Sequence, residues 1–213
     1  MNMTSNLLTV LTGKKFPLPE YTDYVKIHEK VSPVKSLVFK PYIVFSLFGS
    51  SDNRNLPDEK IITLFSYCKN KFPACKLVIA GAPKDNEHAR TLINSSQECA
   101  NCLVNLCGKT SYCDLYNLAK NAEFMIGIDS GITHFGALFS PHTFVLARKH
   151  LPELFWPYPE KFMKNITIIT DEQYQCDYQC LQCLKKGTMT PCMKKLRIGQ
   201  ITNAIEGYIA AMQ

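Results

Sequence analysis

No apolar run in this chain approaches the ~20 residues that a helix needs to cross a bilayer, so a membrane-embedded protein is not expected. The N-terminus, Met1 to Asn6, has no basic stretch leading into an apolar one, which argues against a secretory signal. Internal repeats and low-complexity tracts are absent, which excludes a repeat architecture. A Walker A loop is excluded too. Gly108-Lys109-Thr110 invites that reading, but the glycine required five residues earlier is Leu103. What is present suits one large domain, or one domain with appendages: 213 residues, 46% hydrophobic and 20% charged, enough to build a core. Cytoplasmic location is the expectation. Ten cysteines are many for such a chain, yet disulfide scaffolds are typically short and core-poor. The net charge of +6 is mild and densest at Lys185, Lys186, Lys194, Lys195 and Arg197. A solvated face is the first reading of that cluster. An anionic membrane surface or a phosphorylated substrate comes second, and nucleic acid last.

Residues 1–40 show no sustained periodicity and carry Pro17, Pro19 and Pro33, so they read as a lead or linker. A regular alternation follows. Strands are expected at 42–47, 76–80, 103–106, 124–128, 143–147 and 166–170, and helices at 58–72, 87–94, 111–121, 132–139 and 199–212. Asn55 is the expected cap of the 58–72 helix, with Pro57, Asp58 and Glu59 in its first turn. Ser111 and Asp114 form a capping box for the third helix. Strands alternating with helices imply βαβ units and a parallel sheet covered on both faces. The domain would run over 41–175, followed by a Cys-rich loop and terminal helix over 176–213.

In such a sheet, ligands bind beyond the carboxyl ends of the strands. The loops that matter are therefore 48–57, 81–87, 107–111 and 129–134. The last is the most informative. An apolar strand run ends at Asp129-Ser130-Gly131 and passes at once into a helix-compatible run, the geometry in which backbone N–H groups face an anion. Gly131 would admit a phosphate closely, Ser130 adds a hydroxyl, and His134 lies one turn along the same face. Taken alone, a capped helix start with a satisfied histidine is the plainer reading. Four strand-ending loops gathering at one edge favour the ligand site.

Those loops, in this order, resemble the C-terminal, donor-binding domain of the family-9 glycosyltransferases, among them the ADP-heptose:lipopolysaccharide heptosyltransferases. Asp129-Ser130-Gly131-Ile132-Thr133-His134 fits the family's D-[ST]-G-x-x-H. Gly49-Ser50-Ser51 through Arg54-Asn55-Leu56-Pro57 is similar to its small turn followed by K-x-W-P, with Arg54 for the lysine and Leu56 for the tryptophan. Gly81 to Asp85 resembles its glycine turn leading to an acidic residue. Gly108 to Ser111 fits the segment before the nucleotide-side helix.

The resemblance implies a Rossmann-like α/β fold, the C-terminal half of a GT-B enzyme. It also implies transfer of a sugar from a nucleotide-sugar, ADP-heptose, to a lipopolysaccharide core acceptor, peripherally at the inner membrane and with no cofactor required. By the same resemblance Ser50 and Arg54 would hold the diphosphate, Asp85 a ribose hydroxyl, and Thr110 would lie beside the base. Asp129, Ser130, Gly131 and His134 would surround the sugar and its phosphate. The family's acceptor domain carries an acidic base; about 40 residues stand in its place here, so no catalytic base is nominated. The terminal helix, which crosses onto that domain in the family, would need another home such as a partner chain or second copy. A non-catalytic partner subunit that binds nucleotide-sugar is the alternative.

Plainer roles compete at several positions. Arg54 could be solvated, Asp85 and Glu87 could serve the helix dipole, and Thr110 or Ser111 could cap. His28, His88, His142 and His150 converge with nothing, so surface or core roles suffice. Cys176, Cys180 and Cys183 have the C-x3-C-x2-C spacing of radical-SAM clusters, but that chemistry opens a barrel and only 30 residues follow Cys183. With Cys192 they could form a four-thiolate zinc site. Reduced, packed thiols are the simpler reading. Cys99, Cys102, Cys107 and Cys113 straddle a strand and a helix, which suits shared metal coordination poorly.

Overall fold

Strand β1 (Tyr42–Ser46) is buried at every position, as a β-branched and aromatic run must be when helices cover both faces of a parallel sheet. Five further strands join it: β2 (Lys76–Ile79), β3 (Leu103–Asn105), β4 (Met125–Ile128), β5 (Thr143–Leu146) and β6 (Ile166–Ile169). The computed structural model describes residues 40–149, 156, 163–175, 183 and 189–212. All its strand pairs are parallel, in the spatial order β3-β2-β1-β4-β5-β6. The order reverses between β1 and β4. In a sheet wound both ways from its middle, the chain leaves these neighbouring strands in opposite directions, and a crevice opens beyond their carboxyl ends.

The helices are α1 (Asp58–Lys71), α2 (Asn86–Ser95), α3 (Tyr112–Lys120), α4 (Gly131–Ala137), α5 (Pro191–Lys195) and α6 (Ile198–Met212). Alternate strand residues serve opposite layers. Ile43 and Phe45 join Ile61, Leu64, Phe65, Ala89 and Leu92 of α1 and α2 in the larger core. Tyr42 and Val44 face Leu118 of α3 and Ala122 beyond its end. Burying each such side chain stabilises the fold by roughly 1.5–3 kcal/mol, so the sheet is the rigid part on which the loops are mounted. No helix among the described residues is long and apolar enough to cross a membrane.

Ser111 caps α3 as the sequence suggests: its Oγ accepts from the Asp114 N–H at 3.2 Å, and Asp114 Oδ2 accepts from the Ser111 N–H at 2.8 Å. Two expectations are corrected. Asn55 does not cap α1, whose N-cap is Pro57. The Asn55 side-chain Oδ1 instead accepts from the Gly49 N–H at 3.1 Å and closes the loop after β1. Nor does α6 need a partner chain. Ile201 and Ile205 are fully buried in the larger core, and Glu206 accepts from Tyr67 (2.8 Å) and Lys71 (2.7 Å) of α1. The apolar stripe fits this chain's own layer beside α1. The lead over 1–39 and most of the Cys-rich loop lie outside the described residues.

Candidate functional site

Three hydrogen bonds tie the four carboxyl-edge loops into one continuous rim. The Gly108 N–H donates to Gly81 O at 2.9 Å, joining the loops after β3 and β2. Lys84 Nζ donates to Gly49 O at 3.1 Å, joining the loops after β2 and β1. Arg54 Nη1 donates to Asp129 O at 2.9 Å and so spans the crevice between β1 and β4. Gly108 is a glycine because φ is +71° and an added Cβ would sit 2.7 Å from Pro83 Cα.

Asp129 is the hub. It follows the last residue of β4 and its side chain is 5% exposed. Oδ1 accepts from Trp156 Nε1 at 3.1 Å and lies 3.0 Å from His134 Nε2. Oδ2 faces two guanidinium groups, Arg54 Nη1 at 3.8 Å and Arg148 Nη2 at 3.9 Å. Burial alone would raise this carboxyl's pKa. The His134 hydrogen bond, the Arg54 charge and the Trp156 indole outweigh it, and the group is held below its ordinary value. The His134 imidazole stacks on Trp156, ring centres 3.9 Å apart and planes 15° apart, which fixes the ring against the carboxylate.

The other expected residues fall as follows. Ser50 is exposed in the β1 loop. Ser130 is buried and its hydroxyl caps α4, lying 3.4 Å from the Thr133 N, 3.0 Å from Thr133 Oγ1 and 3.3 Å from Ser46 Oγ. That hydroxyl is engaged within the turn, accepting from the Thr133 N–H and lying within hydrogen-bond reach of the Thr133 and Ser46 hydroxyls. Gly131 is exposed, and a Cβ there would meet nothing within 4 Å, so space lies open before it. Asp85 Oδ2 accepts from the Ala82 N–H at 2.8 Å and tightens its own turn. Thr110 is half-buried beside Ser111, which does the capping.

Sequence reasoning missed Arg148 and Trp156. Arg148 follows β5, whose register places Leu146 beside Ile128, so the chain delivers it next to the end of β4. Trp156 sits in a proline- and aromatic-rich stretch with no strand or helix period to mark it. Of the remaining histidines, His88 Nε2 lies 2.8 Å from Asp58 Oδ1, and His142 is buried; His28 and His150 lie outside the described residues. Cys176 and Cys180 also lie outside them. Cys183 is half-buried, and Cys192 is buried in α5 with its sulfur 3.3 Å from Thr190 Oγ1. Among the described residues no group of three or more His, Cys, Asp or Glu side chains is placed to hold a metal ion.

A guanidinium fork reaching across the switch-point crevice, 26% exposed, is matched in geometry to an anionic group with paired oxygens. Fold and rim together define a doubly wound α/β domain with a polar, cation-bearing carboxyl edge. The chain belongs to glycosyltransferase family 9 (heptosyltransferase), whose sequence profile matches residues 7–191. Similar solved structures include Escherichia coli ADP-heptose LPS heptosyltransferase II (15% identity, TM-score 0.66, covering 93% of this chain and 54% of that one). A glycosyl transferase family 9 protein from Veillonella parvula is similar at 18% identity and TM-score 0.63, covering 78% and 45%. E. coli heptosyltransferase WaaC with ADP-2-deoxy-2-fluoro heptose is similar at 17% identity and TM-score 0.59, covering 95% and 54%. The chain thus spans about half the length of these structures, and the Rossmann-like GT-B fold is shared. Among curated proteins, none matches.

Proposed function

We propose that this chain holds the nucleoside diphosphate of an activated sugar at the carboxyl edge of its sheet, and forms the donor-binding half of a heptosyltransferase-like enzyme. The observation that carries this reading is the Arg54 to Asp129 O bond, which brings the two motif-bearing loops together across the switch point. ADP-heptose is the donor we favour, because a heptosyltransferase of this fold was solved with an ADP-heptose analogue. The acceptor would be a lipopolysaccharide core sugar. The protein would then work on the cytoplasmic side, peripherally at the inner membrane.

In this reading Ser50 and Arg54 hold the diphosphate, Asp85 a ribose hydroxyl, and Thr110 lies beside the base. Because the Ser130 hydroxyl is engaged in its cap, the backbone at Ser130 and Gly131 is what meets the sugar phosphate. Asp129 and His134 lie near the sugar. A sugar diphosphate gains negative charge on its leaving oxygen as the glycosidic bond breaks. A guanidinium already bonded to the diphosphate when the bond begins to break stabilises that transition state. Arg54 would supply that charge, so no metal ion or other cofactor is required. The base that deprotonates the acceptor hydroxyl is not assigned to any residue here.

Calorimetric titration with a panel of nucleotide-sugars tests the donor. ADP-sugars are expected to bind more tightly than UDP- or GDP-sugars, and equal affinity across the panel would remove the heptose assignment. A transfer assay on the purified chain separates the enzyme from the alternative. Binding with turnover supports a transferase, whereas binding without turnover supports a nucleotide-sugar-binding partner subunit.

A further inference from the structure

We propose that Arg148 is a positioning residue of the donor site: it holds the Asp129 carboxylate in place when Arg54 turns to a bound diphosphate. The inference rests on the donor-binding reading above, and it assigns a task to a residue that the family motifs do not include. Two cations face Asp129 Oδ2 from different loops, and they differ in one respect. The Arg54 side chain is 26% exposed, whereas that of Arg148 is 3% exposed. Arg54 can therefore reach a ligand, and Arg148 stays beside the carboxylate.

Nothing among the described residues hydrogen-bonds Oδ2, although the atom is buried. Its compensation is ionic, from groups 3.8 and 3.9 Å away. A buried carboxylate stripped of its cations is strongly disfavoured. If Arg54 alone faced Oδ2, a diphosphate would have to compete with Asp129 for it, and binding would weaken. With Arg148 on the other side, Asp129 stays compensated while Arg54 swings to the ligand. His134 and Trp156, both on Oδ1, do not take over this task. Among the described residues, the groups facing the carboxylate are thus Arg54 from the β1 loop, His134 from α4, and Arg148 and Trp156 from the segment after β5.

The test is ADP binding to the full chain, by calorimetry in two buffers of different ionisation enthalpy so that protons taken up on binding are counted. Arg148→Met should weaken ADP by about tenfold or more. It should also add proton uptake at pH 5.5 to 6, because Asp129 becomes protonated as Arg54 leaves it. Arg148→Lys should restore both affinity and proton count. In an Asp129→Asn background, Arg148→Met should cost nothing further. That double variant carries the test if the single variant does not fold, since no buried charge is then left uncompensated. Wild-type affinity and proton count in Arg148→Met, a lysine variant that behaves like methionine, or a further loss in the double variant would each overturn the proposal. Absence of ADP binding to the wild-type chain would instead overturn the donor-site reading on which it rests.

Discussion

The two ends of β4 are built from opposite materials. Phe124, just before the strand, packs edge-on against Phe72, Phe144 and Tyr208, and His142 beside them stacks on Tyr208 with ring centres 4.2 Å apart. Asp129, just after the strand, sits among Arg54, Arg148, His134 and the Trp156 indole. The contrast between the two histidines is instructive. His142 has Thr167 Oγ1 at 2.9 Å and aromatic rings around it, and burial pushes its pKa down to about 4. His134 stands against a carboxylate, with its ring stacked on an indole face. One edge is stabilised by removing apolar area from water, and the other gathers buried charge that must be compensated. Packing suffices to close the amino edge of the sheet. The concentration of charge at the carboxyl edge is what the donor-site proposal draws on.

The sharpest way to break this comparison is to truncate both ends of the same strand. Asp129→Ala leaves the buried Arg148 guanidinium facing a void and should cost about 3–5 kcal/mol. Phe124→Ala should cost a similar amount, about 3–5 kcal/mol, through the cavity it leaves. Denaturant unfolding reads both. ADP titration separates them: affinity should rise in Asp129→Ala, where the carboxylate no longer competes with the ligand for Arg54, and stay unchanged in Phe124→Ala. A change of affinity in both would mean that the two ends are not independent.

The second test uses acid. In the folded chain His142 binds its proton near pH 4, against about 6.5 when unfolded. Between those values the unfolded chain holds the extra proton, so stability falls as pH drops from about 6.5 to about 4 and changes no further from this source below that. The loss is on the order of 3 kcal/mol, and His142→Phe should remove the slope in that window. Asp129 acts in a lower window. Its depressed carboxyl contributes stability above the ordinary carboxylate range, which is lost only as pH falls through its lowered folded value. Unfolding midpoints at pH 7, 5 and 3 resolve the two contributions.

A smaller effect tests the rim. Gly108→Ala forces a side chain into the left-handed region and against Pro83, and should cost about 1–2 kcal/mol. It should also loosen the loop joined through Gly81 O, which an increase in amide exchange at Gly81 and Ala82 would report.

Much of this architecture was legible in the sequence. Buried strands announce themselves as apolar runs, and each of the six described strands falls where such a run stands, with one end shorter by one residue. The Ser111 and Asp114 box depends only on neighbours three residues apart, so it too could be read locally. Asn55 could not. Whether its side chain caps α1 or closes onto Gly49 depends on how the loop folds back, which the local sequence does not encode. Arg148 and Trp156 reach Asp129 only because β5 lies beside β4. α6 finds its place through contacts with α1, far away in the chain.

The most direct measurement is calorimetric titration of ADP into the wild-type chain and into Arg54→Ala. Saturable binding to the wild type, weakened about tenfold or more when the guanidinium is removed and with little change in unfolding midpoint, is what a diphosphate held across the β1–β4 crevice requires. Equal affinity in the two proteins, or no binding to either, would contradict it.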